Sequence, residues 1–126
     1  MAIFKGVGVA LVTPFMENGS VDYNGLQKLI NFQIENGTDY LVVQGTTGES
    51  ATLSADEKKA VLDYIAEINA KRLPIVLGIG GNNTQAVAEQ LENLDTTHLD
   101  GILSVSPYYN KPSQKGIVAH YKNIAK

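Results

Sequence analysis

The chain has 126 residues, 44% of them hydrophobic, and a formal net charge of −3. This length and composition predict a single globular domain with an apolar core. Its ten Lys and Arg residues form no basic stripe for nucleic acid, and no apolar run is long enough to span a bilayer. The first residues lack a signal-peptide pattern, so a cytoplasmic location is expected. With no cysteine, and with only His98 and His120 as imidazoles, neither a thiolate nucleophile nor a metal site is expected.

In chain order, a short apolar strand-like run followed by a segment of helical period occurs four times. The predicted strands cover residues 7–12, 40–43, 75–77 and 101–105. A side chain able to cap the following helix comes after each of them: Asp22, Ser54, Asn83 and Ser113. Glu57 stands three residues after Ser54, as a capping box requires. Asn36-Gly37 is a typical end for the first helix.

The last predicted helix carries its apolar stripe at Ile117, Val118, Tyr121 and Ile124. No glycine or turn signal follows these positions. The sequence is therefore expected to end within this helix, which predicts a domain over residues 1–126 that is incomplete at its C-terminus.

Continuous apolar strands alternating with helices are typical of a parallel sheet covered by helices. An open doubly wound sheet and a TIM, or (βα)8, barrel both satisfy that pattern. Four units in 126 residues give about 31 residues each, and eight such units would reach the roughly 250 residues typical of a barrel. The sequence therefore favours an α/β fold consisting of the first four βα units of a TIM barrel.

The loop after the second strand, Gly45-Thr46-Thr47-Gly48-Glu49-Ser50, places two hydroxyls between glycines. Backbone amides in such a loop can approach an anion such as a small carboxylate. A tight turn in which the hydroxyls cap local backbone explains the same residues. No lysine follows Gly48 as in a P-loop, and the glycines of segment 78–83 lack the last glycine of a dinucleotide motif. No cofactor is expected.

The loop after the fourth strand contains the adjacent tyrosines Tyr108 and Tyr109. On an extended backbone their rings point to opposite sides, so one is expected to face inward. A phenol can relay a proton when a neighbouring hydroxyl shares its hydrogen bond. Packing of both rings beneath the loop is the alternative, and the residues alone leave both interpretations open.

Taken together, GTTGESATL (45–53) and SPYYNKPSQKG (106–116) resemble the dihydrodipicolinate synthases, which are related to class I aldolases. The opening GVALVTPF (8–15) is similar to the first strand of that family, and the resemblance covers the whole chain. The first motif also occurs in the wider superfamily of pyruvate-dependent aldolases, which includes N-acetylneuraminate lyase. The tyrosine-containing motif narrows the resemblance to the synthases.

The resemblance implies a lyase of lysine and diaminopimelate biosynthesis in which a lysine on a sixth strand forms a Schiff base with pyruvate. The resulting enamine attacks aspartate semialdehyde. Thr46 and Tyr109 match a proton relay, and Thr47 matches a residue that holds the pyruvate carboxylate. Tyr109 is implied to reach across the dimer interface of a homo-oligomer. Because no lysine of this chain follows a sixth strand, the chain alone is expected to be inactive.

The resemblance also implies a regulatory cleft formed by Tyr108, Asn82, Ser50 and Ala51. Lysine-inhibited relatives commonly carry His or Glu at the positions of Ala55 and Ala86, which implies weakened feedback here. Two further interpretations apply to the chain by itself. It is either a scaffold in which two half-barrels pair, or a fragment that binds carboxylates without turnover.

Overall fold

A computed structural model describes residues 2–126. One parallel sheet has the order β1-β2-β3-β4, with strands at Gly8–Ala10, Tyr40–Val43, Ile75–Gly78 and Gly101–Leu103. The helices α1 to α4 cover Tyr23–Glu35, Ala55–Asn69, Thr84–Glu92 and Gln114–Ile124. The four predicted strand-helix units are confirmed. No helix of residues 2–126 combines the length and the apolar content that crossing a bilayer requires.

The helices begin at the predicted caps because each capping side chain accepts a hydrogen bond from an otherwise unpaired first-turn amide. The capping residues are Asp22, Ser54, Asn83 and Ser113. The capping box is complete, since Glu57 Oε2 also accepts from the Ser54 amide at 2.7 Å. The sequence was expected to end within α4. Instead, α4 ends at Ile124, with Ala125 as its C-cap.

The two outer strands are shorter than predicted. The prediction gave the first strand residues 7–12, whereas β1 spans 8–10, and the fourth was predicted over 101–105, whereas β4 spans 101–103. Among residues 2–126, β1 pairs only with β2 and β4 pairs only with β3. The Leu11 amide still donates to Val42 O at 2.9 Å just beyond β1, and the bond at the end of β4 runs from the Ile79 amide to Leu103 O at 3.0 Å.

One face of the sheet forms the core beneath the helices. The buried side chains come from β2 and β3 and from the facing stripes of α1 and α2: Leu41, Val43, Ile75, Leu77, Leu26, Ile30, Val61 and Ile65. Burial of each such side chain contributes about 1.5–3 kcal/mol. α1 packs against α2, and α3 packs against α4.

Apolar side chains on and beyond the outer strands are left open to solvent. Val12, Leu103 and Val105 are 51%, 52% and 50% exposed. In a closed barrel, side chains from all eight strands fill the interior that this curved sheet would bound. Helices on one side and an uncovered sheet face on the other are the arrangement of half a TIM barrel.

The predicted apolar stripe of α4 is wrong at one position. Val118 is 53% exposed, whereas His120 is only 3% exposed. The α4 helix turns His120 towards α3, where its Nδ1 lies 2.8 Å from Thr84 Oγ1. A hydrogen bond thus takes the place of an apolar contact between these two helices.

Candidate active site

The loop between β2 and α2 is held from both sides. Thr13, which follows β1, donates its buried hydroxyl to Gly48 O at 2.7 Å. Gln44 adopts a φ of +56° and donates its side-chain amide to the Lys58 carbonyl on α2. Between these contacts the chain makes two 3-10 turns separated by Glu49 in the left-handed region, with a φ of +57°. The loop is therefore fixed by the neighbouring strand and by its own helix.

Thr46 and Thr47 both lie exposed at the carboxyl end of β2. The hydroxyls that hold the loop backbone belong instead to Thr13, after β1, and to Thr52 within the loop, the latter donating to Glu49 O at 3.1 Å. The two predicted site threonines thus stand on a braced loop at the strand end where barrel enzymes place their chemistry.

The loop after β4 presents both tyrosine rings to solvent. Tyr108 is 55% exposed and lines the cleft between α2 and α3, whereas Tyr109 is 90% exposed and lies outside that lining. The alternative in which both rings pack beneath the loop is therefore wrong. Tyr109 and Lys111 have φ of +71° and +48°, which L-residues rarely adopt. At Tyr109 and Lys111 the backbone therefore departs from the extended conformation that the sequence analysis assumed.

An open cleft of about 840 Å³ separates α2 from α3 and reaches the ends of the central strands. Predicted site residues meet in its lining: Thr46, Ser50, Ala51 and Tyr108. Asn82 joins them through its Oδ1, which accepts from the Tyr108 amide at 2.7 Å. Thr47 and Tyr109 do not line the cleft.

Charged groups lie along the outer part of this cleft. Lys59 donates to Asp63 at 2.6 Å, and this hydrogen bond together with the charge of Asp63 raises the pKa of Lys59. Hydrogen bonds from the Thr97 hydroxyl and amide lower the pKa of Asp95. Residues 2–126 contain no cluster of three His, Cys, Asp or Glu side chains that could hold a metal ion.

No lysine of residues 2–126 is buried. Lys58 is half-buried and the other lysine side chains are exposed. None stands on a strand or directly at the carboxyl end of one. The described residues therefore supply hydroxyls at the candidate site, but no desolvated amine.

Thr13, Gln44 and His120 are the contributors that the sequence analysis missed. Thr13 and Gln44 did carry a signal, because each is a polar residue immediately after an apolar strand-like run. His120 carried none, since it lies within a helix and its partner is 36 positions away.

Four parallel βα units in the sequential order β1-β2-β3-β4, with polar groups on the loops after the strands, are the arrangement of the (βα)8-barrel class and not of a doubly wound sheet, whose strand order is not sequential. The family model described as the dihydrodipicolinate synthetase family matches residues 3–126. The chain belongs to this family.

Similar proteins cover nearly all of this chain. A 4-hydroxy-tetrahydrodipicolinate synthase from Flavobacterium psychrophilum is 55% identical over 125 residues, which are 99% of this chain and 43% of the relative. The chain thus spans about two fifths of the length of the curated relatives it matches.

Solved structures agree with the fold. The pyruvate complex of a chloride-inhibited dihydrodipicolinate synthase from Acinetobacter baumannii matches with a TM-score of 0.91 at 44% identity, over 98% of this chain and 42% of that one. The enzyme from Cyanidioschyzon merolae with lysine bound matches with a TM-score of 0.90 at 41% identity, over 99% of this chain and 43% of that one.

Proposed function

We propose that the chain is the N-terminal part of a cytoplasmic 4-hydroxy-tetrahydrodipicolinate synthase that condenses pyruvate with aspartate semialdehyde. The observation that carries this proposal is the 55% identity to a synthase over 99% of the chain. The pyruvate in the Acinetobacter baumannii enzyme supports pyruvate as the first substrate.

In this proposal the braced loop after β2 supplies two roles. Thr47 donates its hydroxyl to the pyruvate carboxylate, and Thr46 passes protons during the condensation. Both hydroxyls are exposed on a loop that Thr13 and Gln44 hold in place. A rigid support lowers the cost of positioning such groups for reaction.

Tyr109 is proposed to complete the relay from a neighbouring subunit. Its ring is 90% exposed and lies outside the cleft, so it is free to enter the site of a second copy. A phenol relays protons well only when a hydroxyl partner shares its hydrogen bond. Thr46 of the other subunit would be that partner, which makes the homo-oligomer part of the active site.

The Schiff-base lysine is proposed to lie outside these 126 residues. Imine formation requires a neutral amine, which proteins obtain by desolvating a lysine or by placing another cation beside it. Lysine side chains here are exposed or, at Lys58, half-buried. We propose that the chain alone therefore has no synthase activity. A scaffold of paired half-barrels and a carboxylate-binding fragment remain the alternatives for the isolated chain.

The relay proposal is tested in the full-length synthase that contains this chain. Tyr109→Phe and Thr46→Val should each lower kcat, by about 10²-fold or more, because a positioned acid-base group contributes roughly 10²–10⁴-fold. Thr47→Val should instead raise the KM for pyruvate. Tyr108→Phe is the matched control and should keep most of its turnover. Unchanged kcat in Tyr109→Phe would reject the relay.

A further inference from the structure

The segment that carries Tyr109 is held in an unfavourable conformation. Tyr109 and Lys111 both have positive φ, and the Tyr109 ring is 90% exposed. Its own packing therefore does not hold the ring in place. Such backbone persists only where surrounding contacts determine it, and these contacts lie just before Tyr109, at Ser104, Ser106 and Tyr108.

The first contact comes from Tyr121 on α4. Its hydroxyl donates to Ser104 O at 2.8 Å and lies 3.0 Å from Ser106 Oγ, which acts as the donor in that second bond. Pro107 follows Ser106 directly and restricts the backbone further. Tyr121 thus fixes the direction in which the chain leaves β4.

The second contact comes from the loop before α3. Asn82 Oδ1 accepts from the Tyr108 amide at 2.7 Å. Thr84 is the first residue of α3, and its Oγ1 lies 2.8 Å from Nδ1 of His120. His120 therefore ties α4 to the short stretch that presents Asn82.

His120 and Tyr121 are neighbours in sequence, and their rings meet edge to face with centroids 5.2 Å apart. The Nε2 atom of His120 is buried without a hydrogen-bond partner among residues 2–126. That atom carries a desolvation cost which an apolar ring would avoid. Beyond packing, the imidazole therefore contributes only the hydrogen bond between its Nδ1 atom and Thr84.

We propose that His120 and Tyr121 are positioning residues that brace the start of segment 107–111 through two separate contacts and so present Tyr109. The consequence for catalysis rests on the proposed relay role of Tyr109. The brace itself is a property of the loop and is measurable without turnover.

The test is amide hydrogen exchange of the ¹⁵N-labelled chain, read at Tyr108. His120→Gln and Tyr121→Phe should each accelerate exchange at the Tyr108 amide by up to about tenfold, which is the effect of losing one hydrogen bond. The Leu41 amide, bonded to Pro74 O at 3.0 Å in the sheet, is the internal reference and should not change. His120→Asn should keep the Tyr108 amide protected, because the asparagine side chain places a polar atom where Nδ1 of the histidine stands. Glutamine places its polar atoms further out.

Thr84→Val should reproduce the His120→Gln effect, and the double variant should add nothing to it, as expected for two residues that share one bond. An unchanged Tyr108 rate would overturn the brace. Equal acceleration at Tyr108 and Leu41 would do so as well, because it would show a loss of global stability only.

In the full-length synthase, His120→Gln should lower kcat and leave the KM for pyruvate unchanged. Exchange at Tyr108 and turnover of Tyr109→Phe together separate the brace from the relay role. Accelerated exchange at Tyr108 combined with full turnover in Tyr109→Phe would support the brace and reject the relay role.

Discussion

Thr13 shows how one buried hydroxyl can fix a functional loop. It is 6% exposed and donates to Gly48 O at 2.7 Å. Thr13→Val keeps the shape but leaves that buried carbonyl without its donor, which should cost about 1–3 kcal/mol in the free energy of unfolding. Urea denaturation measures the loss, with Thr13→Ser as the control that retains the hydroxyl. Equal stability of the valine variant and the parent chain would show that the bond is not needed.

Asp95 gives a pH-dependent prediction at the same scale. The Thr97 hydroxyl and amide hold the pKa of Asp95 below its ordinary value of 3.8. A lowered folded-state pKa means that the contribution of Asp95 to stability is present above the unfolded pKa and is lost as pH falls through the folded one. Thr97→Val should raise the pKa of Asp95, measured by NMR titration of its carboxyl carbon. Thr97→Ser, which keeps the hydroxyl that donates to Asp95, is the matched control and should leave the pKa of Asp95 low.

At the scale of elements, the sequence predicts the starts of helices well because a cap is a local arrangement. The bond from Ser54 to Glu57 spans three residues, and the same holds for Asn83 with Ala86. Strand ends depend on pairing with a distant segment, which a local apolar pattern does not report, and β1 and β4 were predicted too long. The contact of Thr13 with Gly48 spans 35 positions and has no local signature. Motifs identified the candidate site residues, but they did not predict the cleft between α2 and α3, which brings together only four of them: Thr46, Ser50, Ala51 and Tyr108.

The cleft between α2 and α3 leads to a prediction about how lysine inhibits the full-length synthase. Ala55 of α2 lines the cleft together with Ser50 and Tyr108 but offers no side-chain hydrogen bond to a ligand. We expect only weak inhibition of the full-length synthase by lysine. Ala55→His should strengthen it, while Ala86→His, at a position outside the cleft lining, should have a smaller effect. Inhibition curves measure this, and strong inhibition of the unmodified enzyme at submillimolar lysine would contradict it.

For the whole molecule, the open sheet face predicts self-association. Val12, Leu103 and Val105 are about half exposed, and among residues 2–126 each outer strand has one free edge. Unpaired edges and exposed apolar surface favour pairing with another chain. Sedimentation of the 126-residue chain should show dimers or larger species at micromolar concentration. A compact folded monomer under those conditions would show that the open face is tolerated.

Self-association should still not create an imine-forming site. Pairing two copies brings Thr46, Thr47 and Tyr109 twice into one assembly, yet it adds no lysine on a strand end. Asp63 raises the pKa of Lys59, which favours the charged form of this amine and therefore works against imine formation.

Borohydride reduction with pyruvate, followed by intact mass and peptide mapping, should therefore show only scattered trace labelling of the isolated chain. One stoichiometric adduct on a single lysine would refute this, because it would show that one lysine of the chain supplies a reactive, neutral amine. The matched control is the same reaction with the remaining segment of a related synthase, from its fifth strand onward, added in trans. Under the proposal that the Schiff-base lysine lies in that segment, trapping should then appear on the added segment, and only in samples where the two pieces form one complex.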